Sequence, residues 1–353
     1  MLVNKPQPNI RHYAQKLKVF ITGAAGFIAN HLIHRLEADG HECWGCDISF
    51  SDNPRIRRID VADFGGLERM IQFVNPHFVV HLANFGNRYP DHFSYSKLWE
   101  TNVIGTKHIL ELQKRYGFDL IYTSSSEVYG TEAPSPVSEF YEGNWWYNDY
   151  AASKWMSEKL IGRQCMERPD LRAVILRLFG IYGPYQPHTK DNSVVAQFID
   201  KISRGEPVEI HDCSRCFLYV DDAVDAFVRS FDLTAEQGEL KTINIGSREN
   251  VPIKRLAEMV SELYGRAVVE NPVRKVLVGV KDKIPEIALA KGEIGWMPQT
   301  SLVEGLKKTI QPSPLNEYPH KPFGVFVSVD GEHKKARRLS CAEHCPDEEL
   351  VIE

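Results

Sequence analysis

Two short stretches hold the residue types that bond-making chemistry needs. Ser124, Ser125, Ser126, Glu127, Val128, Tyr129 and Gly130 come directly after Leu120, Ile121, Tyr122 and Thr123, and Tyr150 stands four residues before Lys154. The β-prone run predicts the end of a buried strand, so the hydroxyl cluster falls at a strand's carboxyl end. Open α/β sheets bind their ligands there. Tyr150 and Lys154, at i and i+4, share one face of a helix, where the ammonium favours the phenolate. A phenol of ordinary pKa about 10 then serves as a base near neutral pH. The alternative is a surface tyrosine and lysine that share a face by chance, and the pair alone is a weak signal.

The elements that must position these groups are legible upstream and downstream. Lys18 to Thr22 predicts a strand, Gly23-Ala-Ala-Gly26 a turn, and Ile28, Leu32 and Leu36 the buried stripe of a helix that Gly40 ends. Strand, glycine turn and helix make a phosphate-binding arrangement, with Ala29 where a third glycine often stands. His41 to Cys46 predicts a second strand. It ends in Asp47, about 20 residues on, where a carboxylate accepts hydrogen bonds from an adenosine ribose and repels the extra phosphate of NADP. NAD is therefore favoured, with Arg55, Arg57 and Arg58 nearby keeping NADP in view. Asp60-Val61 either lies near the adenine or is a turn aspartate. Phe78 to Ala83 predicts a strand that runs into the polar loop Asn84 to Arg88.

Residues 95–116 and 150–166 predict helices apolar over more than one stripe, for burial in the core or for pairing with a second subunit. With a strand over Leu171 to Leu178, strands and helices alternate through the first half, which predicts an α/β fold with a doubly wound parallel sheet. Past Gly183-Pro184 the pattern turns irregular, apart from a strand at Lys241 to Ile245 that returns to the sheet. The expected organisation is a cofactor domain over 1–182 with 241–246 returning to it, a smaller, mainly substrate-binding lobe over 183–310, and a tail over 311–353.

The 353 residues are 25% charged and 43% hydrophobic with a net charge of −5. That balance belongs to a soluble globular protein and gives no reason to expect nucleic acid or an anionic membrane as partner. Met1 to Gln15 is polar, and no apolar run has the length of a membrane span, so a cytoplasmic location is expected. Seven cysteines, an odd number, do not suit a disulfide framework. The pairs Cys43/Cys46 and Cys213/Cys216 and the group Cys341, His344 and Cys345 read as reduced thiols and a solvated tail, with no metal expected.

Taken in order, these motifs resemble the extended short-chain dehydrogenase/reductase family, the NAD-dependent nucleotide-sugar epimerases, dehydratases and decarboxylases, from about Lys18 to Ile310. The resemblance rests on Thr22-Gly-Ala-Ala-Gly-Phe-Ile, His81-Leu-Ala, Thr101-Asn-Val-Ile-Gly-Thr106, Ser124-Ser-Ser-Glu-Val-Tyr-Gly130 and Tyr150-x-x-x-Lys154. It continues through Arg177-Leu-Phe-Gly-Ile-Tyr-Gly-Pro184, Arg215-Cys-Phe-Leu-Tyr-Val-Asp-Asp222, Asn244-Ile-Gly246 and Gly295-Trp-Met-Pro298. It implies a Rossmann sheet and an NAD site formed by Gly23, Ala25, Gly26, Phe27, Ile28, Asp47, Asp60, Val61, Leu82, Ala83 and Asn102 with Tyr150 and Lys154. It makes Tyr150 the base at the sugar C4 hydroxyl, Lys154 its partner and Ser125 a hydrogen-bonding group at the same oxygen. For the nucleotide sugar it implies Asn84, Arg88, Ser125, Gly180, Asn192, Val194 and Arg215; the surplus apolar faces of 95–116 and 150–166 are what point to a homodimer. The sequence departs from the family at Gly180, where asparagine is usual, at Asn84 in place of alanine and at Cys216 in place of aspartate.

Oxidation at C4 acidifies the C5 hydrogen, and Glu127, with Ser126 beside it, is the candidate base for chemistry at C5. The triplet resembles that of 4,6-dehydratases and UDP-glucuronate decarboxylases. A 4-epimerase is the alternative; a keto-sugar reductase and a non-catalytic nucleotide-binding scaffold are further ones.

Overall fold

The computed structural model describes residues 16–86, 92–143, 146, 148–187, 193–233, 240–271 and 283–311. Its centre is a sheet of seven parallel strands. These are β1 (Lys18–Thr22), β2 (Glu42–Asp47), β3 (Ile56–Arg58), β4 (Phe78–His81), β5 (Asp119–Ser125), β6 (Ala173–Leu178) and, later in the chain, Lys241–Ile245. Strands such as Phe78-Val-Val-His81 are buried at every position, as a parallel sheet covered on both faces requires. Four short strands intervene: β7 (Ile181–Tyr182), β8 (Val208–Glu209), β9 (Ser214–Cys216) and β10 (Leu218–Tyr219). They make Lys241–Ile245 β11, and β12 (Asn250–Pro252) and β13 (Glu270–Asn271) come after it. The central order is β11-β6-β5-β4-β1-β2-β3. The crossover lies between β1 and β4, beside the glycine turn, and β11 pairs with β6 from Lys241↔Val174 to Ile245↔Leu178.

The helices are α1 (Phe27–Ala38), α2 (Phe64–Val74), α3 (His92–Trp99), α4 (Gly105–Tyr116), α5 (Asp149–Glu167), α6 (Val194–Arg204), α7 (Val220–Phe231), α8 (Ile253–Tyr264), α9 (Ala288–Ile294) and α10 (Leu302–Ile310). One buried cluster joins α1 and α7 to one face of the sheet and extends to α6 and α8, and a second packs α2, α4 and α5 over the other face. The helix expected over 95–116 is interrupted by a π turn, Glu100–Ile104, between α3 and α4. The stretch expected to be irregular from 183 to 310 contains α6 to α10. Its glycines and prolines bound helices instead of breaking them: Gly205, Gly265 and Gly295 are left-handed C-caps, and Pro252 precedes α8.

No helix among the described residues is long and apolar enough to cross a membrane. Cys43, Cys46, Cys165, Cys213 and Cys216 are free thiols; burial pushes the Cys43 thiol up to about 12. No group of three or more potential metal ligands occurs among the described residues. The Cys341, His344 and Cys345 group lies outside them.

Candidate active site

The cofactor edge begins where β1 enters the glycine turn. Gly23 has φ +68°, and a Cβ there would stand 2.8 Å from the Cα and N of Ala83. Only glycine lets the two backbones approach so closely. Gly26 caps α1 without a side-chain hydrogen bond, which leaves the first amides of a 12-residue helix for an anionic ligand. The Asp47 carboxylate, at the end of β2, accepts from the Ala25 amide at 3.0 Å and the Ser49 amide at 2.8 Å. It is thereby fixed beside the glycine turn, where a ribose would lie, and each oxygen retains a further acceptor lone pair. Phe27 and Ile28 are half-buried at the start of α1. The tight turn, uncapped helix and fixed acid together fit a dinucleotide.

His81 ties this edge together. Thr106 Oγ1 donates to the Asn102 carbonyl at 2.6 Å, so at 3.2 Å it accepts from His81 Nε2. Nδ1 must then accept from Thr22 Oγ1 at 2.6 Å, while Thr22 Oγ1 itself accepts from the Ala83 amide at 3.1 Å. The chain of bonds fixes a neutral imidazole with its proton on Nε2 and holds Leu82 and Ala83 against β1. Burial, with Lys154 adding repulsion, pushes His81 down to about 3.

Some residues expected at the cofactor have partners within the protein. Asn102 is buried, its side chain accepting from the Phe85 amide at 2.8 Å and donating to Ser153 Oγ at 2.9 Å. The π turn frees its carbonyl, which takes the hydroxyls of Thr106 and Ser157. Val61 is core, packed against Gly105. Asp60 accepts from the Ala62 amide and pairs with Lys97. Burial opposes its ionisation, but these two partners outweigh burial and hold its carboxyl below the ordinary range.

The reactive groups converge at the end of β5. Lys154, on the buried face of α5, is 2% exposed; its ammonium donates to the Thr123 carbonyl at 2.8 Å and lies 4.9 Å from the centre of the Tyr122 ring. Burial lowers it to about 7, against the opposing pull of Glu158. Tyr150 is half-buried in the first turn of the same helix, which Asn148 caps by accepting from the Ala151 amide at 2.7 Å. Ser125 Oγ accepts from the Glu127 amide at 3.2 Å and so opens a 3₁₀ turn, Ser126–Tyr129, that presents Glu127. Ser124 faces away from this edge: it donates to Glu158 Oε1 at 2.5 Å, and Arg177 clasps the same carboxylate through Nε at 3.0 Å and Nη2 at 2.7 Å. Sequence reasoning missed Glu158, although an acid four residues after Lys154 on a buried helix face was a usable signal.

On the substrate side, Val194 opens α6 and Arg215 lies on β9, where its guanidinium donates to the Ser214 carbonyl at 2.9 Å. Asn84 is exposed after β4. Arg88 and Asn192 lie outside the described residues. Gly180, expected at the substrate, is fixed as glycine by packing. It has φ +45°, and a Cβ there would stand 2.1 Å from the Cys216 carbonyl oxygen. The asparagine usual in relatives does not fit this close approach of β9.

Residues 19–246 match the model of the NAD-dependent epimerase/dehydratase family. The chain belongs to that family. It is 31% identical to UDP-glucuronic acid decarboxylase 6 of Arabidopsis thaliana, over 85% of this chain and 90% of that protein. Identity is 30% to UDP-N-acetyl-alpha-D-glucosaminuronate decarboxylase of Bacillus cytotoxicus, over 84% and 97% of the two chains. The solved UDP-glucuronic acid 4-epimerase of Bacillus cereus, in complex with UDP-glucuronic acid and NAD, superposes with a TM-score of 0.74 at 25% identity, covering 83% of this chain and 98% of that one. An NAD-dependent family accounts for the glycine turn, the uncapped α1 and Asp47. The chain is thus an NAD-dependent enzyme of nucleotide-sugar chemistry, and it carries Tyr150 and Lys154 on α5.

Proposed function

We propose that the protein oxidises C4 of a UDP-hexuronate and then releases its C6 carboxylate as carbon dioxide, leaving a UDP-pentose. The observation that carries this reading is the presentation of Glu127 on the turn directly after Ser125, next to the Tyr150 and Lys154 helix. Tyr150, as phenolate, takes the proton of the C4 hydroxyl, with Lys154 stabilising its charge and Ser125 bonding the same oxygen. NAD, when bound, accepts the C4 hydride and later returns it. A C4 ketone makes C6 the carboxyl of a β-keto acid, so the C5–C6 bond breaks and its electron pair becomes a C5 enolate. Glu127 handles the proton that C5 then takes up, and Tyr150 gives back the proton at C4. Decarboxylase names among the relatives support this outcome over 4,6-dehydration.

The second reading is 4-epimerisation of the same substrate, favoured by the structural likeness to a UDP-glucuronic acid 4-epimerase. Incubation with UDP-glucuronate in deuterated water separates the two. Decarboxylation gives a UDP-pentose with deuterium at C5, whereas epimerisation gives an unlabelled UDP-hexuronate of unchanged mass. The enzyme is further proposed to act in the cytoplasm as a homodimer through the outer faces of the helical stretches 95–116, from α3 through the π turn to α4, and 150–166 of α5. Tyr95, Ile104 and Met156 are exposed there at 46%, 39% and 40%, and a monomeric mass by light scattering contradicts that assembly.

A further inference from the structure

Every peptide group around Glu127 is held, and two of the holders come from distant parts of the chain. The Glu127 amide donates to Ser125 Oγ, and the Glu127 carbonyl accepts from the Gly130 amide at 3.1 Å. On one side, the Ser126 carbonyl accepts from Lys283 Nζ at 3.0 Å. Lys283 is 8% exposed, and its segment is stitched to residue 137 by the bonds Val137 N to Ile284 O at 2.8 Å and Glu286 N to Val137 O at 2.9 Å. On the other side, the Val128 carbonyl accepts from Trp146 Nε1 at 2.9 Å. The Trp146 ring lies 4.5 Å from that of Trp155, the neighbour of Lys154 on α5. Gly143 presses on the same peptide: a Cβ there would stand 2.0 Å from the Val128 carbonyl oxygen.

We propose that Trp146 and Lys283 are positioning residues for Glu127, clamping the carbonyls on either side of it so that its carboxylate meets C5 in one geometry. Neither donor bonds Tyr150, Lys154 or Ser125 itself: Lys154 is held by Thr123, α5 is capped by Asn148, and the turn meets Ser125 Oγ only through the Glu127 amide. The clamp therefore acts on the step after C4 oxidation. Trp146 also spans the two halves of the site, since its indole packs against Trp155 of α5 in a tilted contact while its N–H holds the turn. The inference rests on the reading that Glu127 acts at C5.

The test uses full-length enzyme, UDP-glucuronate and NAD, and tracks NADH absorbance in a single turnover separately from carbon dioxide release and deuterium entry at C5. Trp146→Phe keeps an aromatic ring against Trp155 and removes the donor; Lys283→Met removes the other clamp, and Lys283→Arg restores a donor. Displacing a catalytic group by about 1 Å costs on the order of 100-fold. Trp146→Phe and Lys283→Met are thus expected to reduce NAD at near wild-type rate, to slow the C5 step by about 10- to 100-fold, and to let NADH accumulate. Lys283→Arg should recover most of that loss. Trp146→Phe combined with Glu127→Gln should be no slower than Glu127→Gln alone, since a group already removed cannot be misplaced. A slow C5 step in Glu127→Gln with normal kinetics in Trp146→Phe and Lys283→Met overturns the clamp and leaves the role of Glu127 standing. Equal slowing of NAD reduction and the C5 step in the clamp variants also overturns it. A fully active Glu127→Gln overturns both.

Discussion

Acidification to pH 4 tests the His81 bonding chain. Both ring nitrogens are committed: Nε2–H donates to Thr106, and Nδ1 accepts from Thr22. A proton on Nδ1 would face a hydroxyl that must turn its own hydrogen away, while Thr22 Oγ1 already receives the Ala83 amide. Burial, with repulsion from Lys154, lets the folded protein bind this proton only near pH 3, whereas an unfolded histidine binds it near 6.5. Between these values the unfolded chain holds more protons, so stability rises with pH across the window and is lost as pH falls from 6.5 toward 3. At pH 4 the loss is about 2.5 pH units, or about 3 kcal/mol at 1.36 kcal/mol per unit. Other groups titrate over the same range, and His81→Asn separates them. Urea unfolding at pH 7 and pH 4 should show wild type losing about 3 kcal/mol more than the variant. Parallel losses within about 1 kcal/mol would mean that His81 takes up a proton in the fold near its ordinary pKa, without the cost that burial beside Lys154 imposes.

The same geometry predicts three further outcomes. Glu158→Gln breaks a buried pair, with Arg177 and Glu158 side chains only 12% and 6% exposed; it should cost about 3 kcal/mol in chemical denaturation, most of it recovered when Arg177→Met is added. Gly23→Ala places a Cβ on the Ala83 backbone at positive φ, and calorimetry should show NAD affinity at least about tenfold weaker; unchanged affinity would separate the turn from the cofactor. Tyr150→Phe should abolish NAD reduction by substrate while calorimetric NAD binding stays within a fewfold of wild type, and near-normal turnover would remove Tyr150 as the base.

Placement carried by contiguous spacing is legible in the sequence, and placement carried by remote support is not. Tyr150 and Lys154 declare a shared helix face by their interval, and Gly23 and Gly26 declare a turn by their type. The strands were equally plain, because a parallel sheet buried on both faces needs unbroken apolar runs. The π turn left no mark on the pattern: residues 95–116 keep a helical period, and one extra residue per turn shifts the buried face without changing its composition. Yet that turn is what exposes the Asn102 carbonyl to Thr106 and Ser157. The prolines and glycines after 183 suggested irregular chain, since a breaker inside a helix and a cap at its end are the same residue type. Lys283 is the extreme case. It reaches the Ser126 carbonyl across 157 residues, and nothing in its local sequence, Lys-Ile-Pro-Glu, tells a solvated lysine from one buried under a catalytic turn. What selects it is the need to satisfy a carbonyl beside Glu127, a requirement that exists only after β5, the loop through 137 and the 283–286 segment have met.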